Sequence, residues 1–105
     1  QSVADVPEKG NDNGIFGFGH AGGAMLSMTN LVSNVGVVGS DVTGVGTARD
    51  ALAACEYGDD KGIFAYGNTA SVQSMSNLVS NSGVVATDVT GVGTDRYNLA
   101  ACSYN

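Results

Sequence analysis

Apolar residues along the chain fall in short runs, each cut off by glycine, asparagine or aspartate. Gly14–Phe18 is apolar and aromatic. Asn30-Leu31-Val32-Ser33 follows a divergent stretch, Val37-Val38 follows Asn34-Val35-Gly36, and Leu52–Tyr57 comes after the Gly-rich segment Asp41–Thr47. Runs of this length, bounded by residues that tolerate positive φ, predict strands joined by turns. The same order then returns as Gly62–Tyr66, Asn77–Ser80, Val84-Val85 and Leu99–Tyr104. Helix is the competing expectation over Thr47–Tyr57, because Ala51, Leu52, Ala53 and Ala54 are good helix formers. Strand is preferred there, since Gly58-Asp59-Asp60-Lys61 reads as a tight turn leading straight into Gly62-Ile63-Phe64.

The recurrence is close in detail. Gly14-Ile15-Phe16 returns 48 positions on, and Ser27–Asn34 returns 47 positions on as Ser74–Asn81. Asp41–Thr47 reappears unchanged as Asp88–Thr94, and Leu52–Cys55 as Leu99–Cys102. The lost residue falls between Gly19–Leu26 and Gly67–Gln73, whose divergence marks them as loops. The chain therefore divides into an N-terminal arm (1–9), repeat 1 (10–57) and repeat 2 (58–105). Four short antiparallel strands per repeat predict an all-β fold of two tandem four-stranded propeller-type blades. A β-solenoid repeats at a shorter coil length, and a sandwich of two fused halves is less economical. A blade buries its faces only against other blades, so two alone call for further copies.

The order Arg-x-x-Leu-Ala-Ala, a short turn, then Lys61-Gly-Ile-Phe-Ala-Tyr-Gly67 resembles kelch-type propeller repeats, including the kelch-like repeats of phage tail fibres and surface proteins. Arg49, Leu52–Tyr57 and Gly62–Gly67 match one stretch of such a repeat; Arg96 and Leu99–Tyr104 match the start of another. The chain departs from the family in having a single Gly19 or Gly67 after the second strand, and no tryptophan. The resemblance implies that the strand after each arginine is innermost. Repeat 1 then lacks its inner strand and Leu99–Tyr104 lacks outer partners, so a terminal strand would complete a neighbouring subunit. Such a head-to-tail contact makes a ring or a filament. The intramolecular alternative places Ser2–Val6 beside Gly14–Phe18.

Composition narrows the function classes. Sixteen glycines and no tryptophan in 105 residues leave a thin core, which favours oligomerisation. Ten acidic against four basic residues, a net charge of −6, leave no basic stripe for nucleic acid or anionic lipid. No apolar run approaches the roughly 20 residues of a membrane span. A start at Gln1 fits a cleaved leader as well as a boundary, and the expectation is an extracellular, virion or cell-surface location.

No set of residues forms a catalytic or metal-ligating pattern, so no enzyme activity, cofactor or metal is expected. Gly17-x-Gly19-x-x-Gly22 lacks the following helix of a dinucleotide fingerprint. Asp41-Val-Thr-Gly and Asp88-Val-Thr-Gly read as turns. Arg49 and Arg96 are expected to hydrogen-bond carbonyls of the crossover. His20, with Asn68 aligned opposite it, and Tyr66 mark a candidate ligand loop. Cys55 and Cys102 occupy equivalent places, as buried free thiols or as a disulfide. The function expected is a non-enzymatic, self-associating structural protein. The alternative is a glycan-binding lectin-like or adhesin module using the loops after Gly19 and Gly67.

Overall fold

Turn chemistry and short apolar runs lay down five strands in the computed structural model, which describes residues 12–104. They are β1 (Gly14–Ala21), β2 (Ala24–Val32), β3 (Ala53–Tyr57), β4 (Lys61–Ala65) and β5 (Ser76–Val79), with no helix among the described residues. β1 and β2 pair antiparallel, from Gly14 opposite Val32 to Ala21 opposite Ala24. Gly22 and Gly23 close this hairpin with φ of 56° and 85°, the handedness that suits two-residue hairpin turns. The loop expected after Gly19 is thus a continuation of the ladder in repeat 1. Its counterpart after Gly67 lacks the glycine pair and does form a loop, tied by Thr69 N–H to Ser71 O at 3.0 Å.

β3, β4 and β5 make the second sheet in that order, with Cys55 opposite Ile63 and Phe64 opposite Asn77. Strand therefore prevails over helix at Ala53–Tyr57, because its backbone groups find partners on β4. The fold is all-β, but the sheets have two and three strands, and two four-stranded propeller blades are not formed. The fourth position of each repeat is held only by single bridges: Val38 to Val32 and Val42 to Thr29, then Val85 to Val79 and Val89 to Ser76. The two bridges of each repeat differ in register by one residue, Val38 to Val32 against Val42 to Thr29 and Val85 to Val79 against Val89 to Ser76, so no continuous ladder joins them. Gly44 passes close over Ser27, and Gly91 over Ser74, where a β-carbon would overlap the serine.

In the single chain Leu99–Tyr104 forms no strand and all of it but Leu99 is exposed. β3 becomes a strand by pairing with β4, and Leu99–Tyr104 has no such partner among the described residues. The arm 1–9, with the alternative pairing of Ser2–Val6, lies outside the described residues.

The two repeats follow the same backbone path. Phe18 and Tyr66 share φ near 65°, at 65° and 66°, and Ala51 and Asn98 lie at 56° and 55°. Such left-handed conformations in residues other than glycine cost about 1–3 kcal/mol each and persist only where surroundings impose them. The core lies where the repeats meet. Phe18 of repeat 1 packs with Phe64, Val79 and Val85 of repeat 2, flanked by Ile15, Val45 and Leu52. The Phe18 and Phe64 rings meet at 5.1 Å and 58°, a tilted contact that both quadrupoles favour. Aligned residues fare differently: Phe64 is 5% exposed and its counterpart Phe16 is 62% exposed. Phe64→Ala should therefore destabilise the fold by about 3 kcal/mol, and Phe16→Ala by under about 0.5 kcal/mol, in urea unfolding of dilute protein.

Candidate functional site

The most elaborate polar constellation is built around Arg49, which has no solvent exposure. Its backbone is fixed by Gly19 N–H donating to Arg49 O at 3.0 Å and by Arg49 N–H donating to Leu26 O at 3.3 Å. The side chain then crosses into repeat 2. Nε donates to Tyr66 O at 2.7 Å, Nη1 to Thr47 O at 2.9 Å and Nη2 to Asn77 Oδ1 at 2.6 Å. Its guanidinium carbon lies 4.7 Å from the centroid of the Phe18 ring. The left-handed turn at Tyr66 ends β4 where the carbonyl accepts the Nε–H.

Asn77 relays the contact. It too has no exposure, and its Nδ2 donates to Ala86 O at 3.1 Å and to Asp88 Oδ1 at 2.8 Å. Thr47 closes the circuit, its N–H donating to Asp88 Oδ1 at 3.1 Å and its hydroxyl to Asp88 Oδ2 at 2.6 Å. Burial pushes the Arg49 guanidinium below its ordinary pKa, and the charge of Asp88 opposes that. Desolvation works against ionising Asp88, but the bonds from Thr47 and Asn77 and the charge of Arg49 outweigh it and hold its carboxyl below the ordinary value. Gly46, at φ 90°, leaves room for this circuit; a β-carbon there would come within 2.7 Å of Asp88 Oδ1.

Each half of the constellation occurs a second time, without its complement. Arg96 stacks over Tyr66 at 4.0 Å and donates to Thr94 O at 3.0 Å, as Arg49 does to Phe18 and Thr47, yet it is exposed. Asn30 donates to Gly39 O at 3.2 Å and to Asp41 Oδ1 at 2.8 Å, as Asn77 does to Ala86 and Asp88. The expectation that the arginines bind crossover carbonyls holds for both.

Among the described residues no side-chain hydrogen bond joins His20, Asn68 and Tyr66 of the candidate ligand loop. His20 is exposed on β1 opposite Met25. Asn68 exchanges backbone hydrogen bonds with Asp50, at 3.0 and 2.8 Å. Tyr66 lies under Arg96 and donates its hydroxyl to Val92 O at 3.0 Å. Within the chain Cys55 and Cys102 are free thiols, Cys55 half-buried and Cys102 exposed. Cys102 lies on the segment that found no strand partner. Cys55 lines a cleft of about 620 Å³ between the repeats, with Ile15, Leu31, Lys61 and Val79 among its walls. Among the described residues no three His, Cys, Asp or Glu side chains converge.

The sequence pattern assigns Asn30 and Asn77 nothing beyond opening a strand, and it reads Asp41 and Asp88 as local turns. Their pairing over eleven positions shows in the sequence only as identity between repeats. No protein-family model matches the chain, and no curated protein matches it.

Arg49→Ala leaves Asn77 and Asp88 without their cation and should cost about 3 kcal/mol, read as a drop in the urea midpoint. Because the folded pKa of Asp88 is depressed, its stabilisation is full above the unfolded value near 4 and fades as pH falls below it. Asp88→Asn should accordingly flatten the stability–pH curve below about pH 4, measured by thermal unfolding from pH 2 to 7.

Proposed function

We propose that the chain is a non-catalytic structural module that works by associating with copies of itself, as a subunit of a ring or filament. One observation carries this reading. Among the described residues the core buries four large apolar side chains, whereas thirteen are exposed, among them Phe16, Val38, Val84 and Val92. Chains that stay single rarely leave so much apolar surface bare in proportion to their core. The polar chemistry points the same way. The fully buried arginine serves to hold one repeat against the other, and its bonds go to carbonyls and an amide rather than to an open pocket.

A glycan-binding role for the segments after Gly19 and Gly67 is the weaker reading. The first of them is taken up in the β1–β2 hairpin, and Tyr66 is already engaged by Arg96 and Val92. Sedimentation velocity over a concentration series tests the proposal. The weight-average mass should rise above that of the 10.5 kDa chain as concentration increases, and a constant monomer mass across the series would refute self-association.

A further inference from the structure

We infer that the chain joins a second copy of itself head to tail, by rebuilding between chains the Arg49 joint that it makes internally. The inference rests on the self-association proposed above and specifies its surface. The internal joint has a giving face and a receiving face. Repeat 1 gives Phe18, Val45, Thr47 and Arg49; repeat 2 receives with Phe64, Asn77, Val85 and Asp88. The opposite faces carry the aligned residues. Repeat 2 offers Tyr66, Val92, Thr94 and Arg96, and repeat 1 offers Phe16, Asn30, Val38 and Asp41.

Three observations show that these outer faces are complementary. Burial is the first: residues covered in the internal joint are bare in their counterparts, with Val85 at 7% and Val38 at 54%, and with Val92 at 82% where Val45 packs against the core. Preorganisation is the second. Arg96 already holds the stacked, Thr94-bonded pose of Arg49, and Asn30 is already turned by Gly39 and Asp41 as Asn77 is by Ala86 and Asp88. Among the described residues no donor reaches Asn30 Oδ1, and Arg96 makes no side-chain hydrogen bond beyond the one to Thr94. Space is the third. A β-carbon at Gly46 would run into Asn77 and Asp88, but at Gly93, with the same φ of 90°, it would meet nothing nearer than the Tyr66 hydroxyl at 3.3 Å. That opening is where Asn30 and Asp41 of the second copy fit.

In the joint between chains, Arg96 donates to Phe18 O and Asn30 Oδ1 of the next copy, and Thr94 donates to its Asp41. Phe16 of that copy covers Tyr66. The charges agree, a cation on one face against a carboxylate on the other, and such complementarity fixes orientation as well as affinity. One position differs: Ala65 replaces Gly17, whose missing β-carbon admits the far edge of the Phe64 ring, so Phe16 must tilt outward. A contact between unlike faces propagates from copy to copy.

The test blocks one face at a time in the full chain, using Arg96→Glu for the giving face and Phe16→Glu for the receiving face. Both sites are exposed, and circular dichroism should show the wild-type fold in each variant. Each variant alone should associate at least about 30-fold more weakly than wild type. An equimolar mixture should form a one-to-one dimer that grows no further, because each partner keeps the one face the other needs. Native mass spectrometry reads all three samples. Wild-type association that neither substitution weakens, or a mixture that stays monomeric, would overturn the head-to-tail joint and leave self-association standing. A wild-type chain that is monomeric throughout would overturn both.

Discussion

Burial of the Arg49 guanidinium is the constraint on which the rest of the structure depends. An unpaired cation removed from water costs several kcal/mol, so every donor aimed inward needs an acceptor held in place. The chain supplies them from both repeats: Thr47 O beside it, and Tyr66 O and Asn77 Oδ1 across the boundary. The turn at Tyr66 presents its carbonyl to that demand, the missing side chain at Gly46 leaves room for it, and Thr47 and Asn77 hold Asp88 beside it. The apolar contact of Phe18 with Phe64, Val79 and Val85 supplies the driving force, and the arginine circuit fixes the registration of one repeat on the next.

A joint of this kind suits a chain whose units are too small to stand alone. The chain has one sheet of two strands and one of three, the second joining β3 of repeat 1 to β4 and β5 of repeat 2. Stability in such systems is a sum of unit and nearest-neighbour terms. The internal boundary supplies one neighbour term and leaves its two unlike halves presented at opposite faces of the pair. That asymmetry, with Phe64 covered and Phe16 bare, is the basis of the head-to-tail association proposed above.

Much of the fold was legible in the residues. The all-β class, the strand at Ala53–Tyr57 and the carbonyl-binding role of the arginines follow from periodicity, turn residues and repetition. The four-stranded blade was not, because Val37-Val38 and Val84-Val85 look like strand starts while the one-residue change of register that interrupts each ladder is a tertiary fact. Leu99–Tyr104 nearly matches β3 in sequence, but β3 has β4 to pair with and Leu99–Tyr104 has no partner within the single chain. The joint itself escaped the pattern for a related reason. Asn77 and Asp88 act on Thr47 and Arg49 from up to 41 positions away, and short polar residues beside glycine read locally as turns. His20 and Asn68 stood out because they differ between repeats, whereas the residues that hold the structure together are the ones that do not change.

The chain has two arginines, so its ¹H–¹⁵N spectrum contains two side-chain Nε–H resonances, and their exchange with solvent reports directly on the joint. Arg49 Nε–H should exchange slowly at every protein concentration. Arg96 Nε–H should exchange fast in dilute solution and become slow as the concentration rises. Fast exchange at Arg49 would contradict the buried joint, and persistently fast exchange at Arg96 in associated protein would contradict its reuse between chains.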